Sequence, residues 1–120
     1  NNIKVNALAP TAGTRMTEGL IPDQAFALMT PETVTPAVLY LVSQDAPTRT
    51  ILAAGAGGYA VAKIVETDGI YLDDADQTPE AIAEHWDAIA NSEPKQLQAG
   101  FEQTVKFLGK AAKAKGISLE

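Results

Sequence analysis

A chain of 120 residues, 46% of them hydrophobic and 20% charged, holds enough apolar material for one domain and too little for two. Nine Lys and Arg against 15 Asp and Glu leave a net charge of −6, which argues against a nucleic-acid partner, because phosphate binding needs a basic stripe. There is no cysteine, so disulfides, zinc–thiolate sites and cysteine nucleophiles are excluded, and the longest apolar runs fall far short of a membrane span.

The chain opens on Asn1-Asn2, with neither a methionine nor a signal-peptide pattern, a start that suggests a piece of something longer. Ile3 to Ala9 alternates apolar and polar residues and then turns almost wholly apolar, which predicts a short strand ended by Pro10. Pro10 to Thr17 is a loop by composition, and a short helix is expected from Pro22 to Met29. Thr30-Pro31-Glu32 supplies an N-cap followed by proline at the first helical position. Val34, Val38, Leu41 and Val42 recur at helical spacing, so a helix is expected to about Gln44, with Pro36 in its first turn, where a missing N–H costs little.

Asp45 to Thr50 is a polar turn, and Ile51 to Ala54 predicts a fully buried strand. Tyr59 to Glu66 leans towards β structure, and Thr67-Asp68-Gly69 is a turn into a further short strand at Ile70–Leu72. Strand, loop, helix, strand makes a βαβ unit with a parallel pair. Beyond an acidic linker, Thr78-Pro79-Glu80 starts a helix to about Asn91. A last helix is expected between Lys95 and Lys115, with Leu97, Phe101, Thr104, Leu108 and Ala112 on one stripe. Residues 1–72 are thus expected to form the α/β part and residues 73–120 a helical extension.

The segment Asn6-Ala-Leu-Ala-Pro10-Thr-Ala-Gly13-Thr14-Arg-Met16 resembles the short-chain dehydrogenase/reductase family. In that family a strand ending N-x-x-x-P-G, then a threonine and often a methionine, forms the sixth strand and the loop beneath the nicotinamide. Pro31 to Ser43 looks like the helix that follows, and Ile51 to Gly58 like the seventh strand. The subgroup it most resembles is the (3R)-hydroxyacyl-CoA dehydrogenase part of peroxisomal multifunctional enzymes, with its A-P-x-A-G-[ST]-R-M-T loop, G-A-G strand end and T-P-E-A-[IV]-x-x-x-W helix, here Thr78 to Trp86. Two departures stand out: Thr11 occupies the place of a glycine, and the loop from Pro10 to Met16 is one residue shorter than the common pattern.

The resemblance implies the C-terminal portion of a doubly wound Rossmann-type parallel sheet, its last two strands and crossover helix, with helices added after it. It implies a parent enzyme that moves a hydride between NAD or NADP and the 3-hydroxy/3-keto carbon of an acyl thioester, with no metal. Pro10, Thr11, Ala12, Gly13 and Thr14 would support the nicotinamide, Met16 would touch the substrate, and Arg15 to Met29 would cover it as a mobile lid. The chemistry explains the residue types: a nicotinamide lies flat against rigid backbone, proline stiffens the turn, Ala12 and Gly13 permit close approach, and the Thr14 hydroxyl both donates and accepts. A homo-oligomer is implied, with no membrane or nucleic-acid partner, in the cytoplasm or, for a eukaryotic parent, the peroxisome.

Two patterns mislead. Tyr59-Ala-Val-Ala-Lys63 has the Y-x-x-x-K spacing of the family's catalytic pair, yet that pair lies on a helix upstream of the N-x-x-x-P strand, and here it lies about fifty residues downstream. On a strand, residues four apart are separated by roughly 13 Å, at about 3.3 Å per residue. Gly55-Ala-Gly57-Gly58 lacks the third glycine and the following helix of a dinucleotide fingerprint, so its glycines are expected to let strand backbones or a partner subunit approach closely. His85 reads as a surface or interface residue, and Asp73, Asp74 and Asp76 lack the spacing of a calcium loop.

The nucleotide-binding half, the catalytic serine and the tyrosine–lysine pair of the family are therefore absent from these residues, and the chain alone is expected to be inactive. The rival reading is an independently folded binding or dimerisation module without catalytic activity. Against that rival stands the Ile3–Ala9 strand, which would lack a neighbour on one side; if the chain folds alone, rearrangement or self-association through that edge is expected.

Overall fold

Two strands far apart in sequence begin the architecture of the chain, whose structure is a computed structural model describing residues 2–120. β1 (Ala7–Thr11) pairs in parallel with β2 (Ile51–Gly55), Ala7 opposite Ile51 and Thr11 opposite Gly55. β3 (Gly58–Ala62) returns antiparallel along β2, giving the order β1-β2-β3. The connection between the parallel strands carries α1 (Asp23–Leu28), a 3-10 turn (Pro31–Thr33) and α2 (Thr35–Leu41), with a proline at the start of each of the last two. Contacts divide the chain into two compact units, Asn1–Lys63 and Ile64–Glu120.

The first unit is built on a small apolar cluster. Val34, Ala37 and Ala54 are buried, with Leu8, Ala12 and Leu52 packed against them. Strand side chains alternate, so Leu8, Leu52 and Ala54 share the face that α2 covers, while Ala7, Ala9, Ala53 and Ala60 lie on the other. β2 is consequently half-buried except at Ala54, not fully buried as its run of apolar residues suggested. β2 turns into β3 through Ala56 (φ 50) and Gly57 (φ 81), the doubly left-handed pair of a two-residue hairpin. Gly55 is forced by proximity: a Cβ there would lie 2.8 Å from the Thr11 carbonyl oxygen.

β1 begins four residues later than expected and runs through Pro10. Residues 4–6 give their bonds to the 44–50 segment instead: Lys4 Nζ donates to the Gln44 carbonyl, Val5 N to Thr48 Oγ1 at 3.0 Å, and Asn6 Nδ2 to the Pro47 carbonyl at 2.8 Å. Pro10 fits within the strand because Ala7 N–H donates to the Thr50 carbonyl, which sets positions 7, 9 and 11 towards β2 and leaves Pro10 facing outward. The helix expected to Gln44 stops at Leu41.

In the second unit, β4 (Val65–Thr67) pairs antiparallel with β5 (Pro94–Gln96), Val65 opposite Gln96. Residues 70–72 form no strand. The helix expected from Thr78 is two, α3 (Pro79–Glu84) and α4 (Trp86–Ala90), separated at His85 (φ −98, ψ 14). The last helix, α5 (Phe101–Lys115), starts only after β5 and closes on Gly116 in the left-handed region, where glycine carries no Cβ penalty. Ala112 is the one buried apolar residue of this unit among the described residues. No helix among the described residues is long and apolar enough to cross a membrane.

Candidate functional site

The residues that the sequence singled out leave the carboxyl end of β1 together. Pro10 and Thr11 are its last two positions, opposite Ala54 and Gly55 of β2, so the loop after Thr11 emerges at the carboxyl end of a parallel pair. In open α/β sheets that end is where ligands bind. Ala12 packs on the buried cluster and anchors the loop to it. Gly13 N–H donates to the Met29 carbonyl, just beyond α1, and a Cβ on Gly13 would meet the Phe26 ring and carbonyl at 3.1 Å. Glycine at this position therefore lets α1 sit against the loop.

Thr14 is tied locally. Its N–H donates to Thr17 Oγ1 at 2.9 Å, and its carbonyl accepts from the N–H groups of Thr17 and Glu18, each at 3.0 Å. The Thr17 hydroxyl in turn donates towards the Thr14 carbonyl at 3.1 Å. Met16 N–H donates to Thr14 Oγ1 at 3.3 Å, and the hydroxyl proton of Thr14 has no acceptor among the described residues. The Met16 side chain is 88% exposed. One closed turn thus holds the Thr14 hydroxyl at the surface with a donor to spare and presents an apolar thioether beside it.

Thr17, Phe26 and Met29 were not singled out by the sequence reading, although they hold the loop. Thr17 had a usable signal, a second hydroxyl three residues after Thr14, the spacing of a side-chain-closed turn. Phe26 and Met29 had none, because their contacts are made across the connection rather than along it.

The Tyr59–Lys63 pattern is strand-borne: Tyr59 lies in β3, Lys63 follows its end, and the Tyr59 hydroxyl donates to the Thr33 carbonyl at 2.7 Å. That phenol is engaged in holding β3 to the 3-10 turn. His85 marks the break between α3 and α4, and Asp74 and Asp76 lie in a short 3-10 turn. No cluster of His, Cys, Asp or Glu able to hold a metal is found among the described residues.

A nicotinamide group fits one margin of this arrangement. Rigid backbone at Pro10 and Thr11, a glycine-permitted close approach and a hydroxyl whose proton is not engaged among the described residues suit the flat ring and carboxamide of such a cofactor. The chain carries no phosphate-binding loop to hold the rest of it.

Comparison with known proteins assigns the class. The chain's homologues are peroxisomal multifunctional enzymes and a short-chain-type dehydrogenase/reductase, as the sequence resemblance indicated. It is 30% identical over 115 residues to peroxisomal multifunctional enzyme A of Dictyostelium discoideum, covering 95% of this chain and 26% of that protein. To peroxisomal multifunctional enzyme type 2 of Mus musculus it is 33% identical over 125 residues, covering 98% of this chain and 17% of the relative. A protein of Mycobacterium tuberculosis described as a short-chain type dehydrogenase/reductase is 32% identical over 102 residues, 84% of this chain and 35% of that one. The chain therefore spans about a third or less of the length of these relatives. The full-length multifunctional enzyme type 2 of Drosophila melanogaster matches in structure with a TM-score of 0.74 at 26% identity, over 93% of this chain and 21% of that chain. No family model matches.

Proposed function

We propose that these residues are the C-terminal portion of an NAD(P)-dependent short-chain oxidoreductase acting on a 3-hydroxyacyl or 3-ketoacyl thioester. The observation that carries this reading is the Pro10–Met16 loop, which leaves the carboxyl end of a parallel strand pair and resembles the A-P-x-A-G-[ST]-R-M-T loop of the subgroup, while departing from the wider family at Thr11 and in length. When bound, the nicotinamide would accept or give the hydride exchanged with the 3-carbon. Pro10 and Thr11 hold the backbone rigid beneath it, Ala12 ties that backbone to the apolar cluster, and Gly13 keeps α1 close. The Thr14 hydroxyl would donate to the carboxamide, and Met16 would meet the substrate's acyl portion. Residues 1–72 would belong to a doubly wound sheet completed by residues outside this chain, residues 73–120 to an extension, and the parent would be a homo-oligomer. The relatives named as peroxisomal support the same location for a eukaryotic parent.

The serine and the helix-borne tyrosine–lysine pair of the family are not among these residues, so the chain alone is expected to transfer no hydride. The test is NAD(P)H oxidation with a 3-ketoacyl thioester. The 120-residue chain is expected to give no turnover; in an enzyme that also carries the nucleotide-binding half, Thr14→Val should raise the KM for cofactor and Tyr59→Phe should leave chemistry intact. Turnover by the chain alone, or loss of chemistry in Tyr59→Phe, would overturn the assignment. The second reading, an independent dimerisation module, draws its support from the open outer edge of β3.

A further inference from the structure

The turn after Gly13 carries two threonines, and their hydroxyls are placed differently. Thr14 is exposed, and its hydroxyl proton has no acceptor among the described residues. Thr17 is half-buried, and its hydroxyl is engaged on both sides. Thr17 Oγ1 accepts the Thr14 N–H at 2.9 Å, and its own proton lies within reach of the carbonyls of Thr14 at 3.1 Å and Ala12 at 3.4 Å. Ala12 in turn packs against the buried Val34, Ala37 and Ala54. One hydroxyl thus ties the backbone of Thr14 to a residue anchored on the apolar cluster.

What the turn can offer a ligand follows from where its donors go. Gly13 N–H is given to the Met29 carbonyl, Thr14 N–H to Thr17 Oγ1, Met16 N–H to Thr14 Oγ1, and those of Thr17 and Glu18 to the Thr14 carbonyl. From Gly13 to Glu18 only the Arg15 N–H is left over among the backbone donors, and the Thr14 hydroxyl is the side-chain donor held beside it. Because Thr14 Oγ1 already takes the Met16 N–H at 3.3 Å, one lone pair faces into the turn and the proton is left to point away. A single proton is useful only where it is aimed, since hydrogen bonds weaken steeply as they bend below about 120°.

We propose that Thr17 is a positioning residue of the cofactor site: by holding the N–H and carbonyl of Thr14 it fixes that backbone and so aims the Thr14 hydroxyl at the nicotinamide carboxamide. The inference rests on the dehydrogenase reading and adds to it a residue that acts only through Thr14. Without the Thr17 hydroxyl the Thr14 N–H loses its acceptor, and the hydroxyl at Thr14 swings with its backbone.

The test uses an enzyme that also carries the nucleotide-binding half, with NAD(P)H binding followed by fluorescence titration and turnover measured on a 3-ketoacyl thioester. Thr17→Val keeps the shape of the side chain and removes its hydroxyl; it should weaken NAD(P)H binding and raise the cofactor KM about fivefold, the factor one ordinary hydrogen bond represents. The KM for thioester and kcat should change little, because the carboxamide is held alike before and during transfer. Thr17→Ser should restore cofactor binding. In a Thr14→Val background Thr17→Val should add nothing, whereas a merely structural role would add its full factor there. Should Thr17→Val fail to fold, Thr17→Ala carries the same comparison. Unchanged cofactor constants in Thr17→Val, an equal rise in both backgrounds, or a Thr17→Ser as impaired as Thr17→Val would each overturn the proposal while leaving the dehydrogenase reading standing. Cofactor binding untouched by Thr14→Val would remove the carboxamide contact itself, and the role of Thr17 with it.

Discussion

The two units of this chain are fastened by different means. In the first, a parallel ladder and a hairpin are sealed by Val34, Ala37 and Ala54, with Leu8 and Leu52 alongside. In the second, the long polar arms of α5 make the ties to the segment around β4. Lys106 grips the Glu66 carboxylate and the Thr67 carbonyl, Lys110 reaches Asp68 at 2.9 Å, Lys115 reaches Asp74 at 3.0 Å, and Gln103 donates to Glu66 at 2.5 Å. Meanwhile Phe101 is 71% exposed, and Val105 and Leu108 are about half exposed. The helix thus turns charge inward and part of its apolar surface outward, the reverse of the arrangement an amphipathic pattern implies. Apolar packing is non-directional and tolerates exchange of similar shapes; polar ties depend on individual atoms and on the solvent.

The sharpest way to break the first unit is Gly55→Ala. The added Cβ would sit 2.8 Å from the Thr11 carbonyl oxygen and 2.9 Å from the Thr11 Cβ, so two paired strands must part. A loss of about 1–3 kcal/mol is expected, the usual cost of overpacking, read as a lower urea midpoint at unchanged slope. Thr78→Ala should cost about 1 kcal/mol, because Thr78 Oγ1 accepts the Ala81 N–H at 3.1 Å and caps α3 ahead of Pro79; helix content followed through the same titration reports it. Gly109→Ala tests the second unit with the opposite sign. A Cβ there meets nothing within 4 Å, and glycine inside an exposed helix costs about 0.8–1 kcal/mol relative to alanine, so this variant should be stabilised. A destabilised Gly109→Ala would mean that the outward face of α5 is covered in solution.

The same contrast explains what could be read from the sequence. The parallel pair, the connecting helices, β3 as a strand and the loop beyond Pro10 were legible because alternation, helical spacing and proline placement are local, and because most of the motifs of the resemblance fall in the first unit. The second unit was legible only in part. β5 is Pro-Lys-Gln, which has no strand pattern and is extended because it pairs with Val65–Thr67. Reading those residues as the start of the last helix set the helix too early, and Gly100 just ahead of Phe101 marks its true start. No strand forms at Ile70–Leu72; β4 lies five residues earlier, at the end of the stretch that leaned towards β structure. Nothing in the residues around His85 announces a one-residue interruption between α3 and α4. The ties of α5 join residues 37 to 42 positions apart, each of which reads as a solvated charge until the partner is known. The site was legible as a segment, Pro10 to Met16, but not as a structure, because Phe26 and Met29 reach it across the connection.

The smallest expected effects are the most specific to the second unit. Hydrogen bonds from Lys106 and then Gln103 hold the Glu66 carboxyl below its ordinary 4.5, against the opposing pull of desolvation, and the bond from Lys110 holds Asp68 below 3.8. The bond to Asp74 raises Lys115 above 10.5. A lowered acid contributes its full stabilisation above its ordinary value and loses it as pH falls through the lowered one; a raised lysine contributes fully below its ordinary value and loses it as pH rises through the raised one. The fastening of α5 should therefore be level through neutral pH, weaken in acid below the carboxylate range, and weaken again above the lysine range. Amide exchange along α5 should follow that profile and quicken with added salt, since exposed pairs are screened. Asp68→Asn and Lys110→Gln should each speed exchange slightly, with the double variant no faster than the quicker single one, because the two remove one interaction. Amides in the β1–β2 ladder should show neither the salt response nor the acid limb of these carboxylates. An α5 whose exchange ignores both salt and acid would mean that apolar contacts of Ala112 and Phe107, and not its lysines, hold the helix in place.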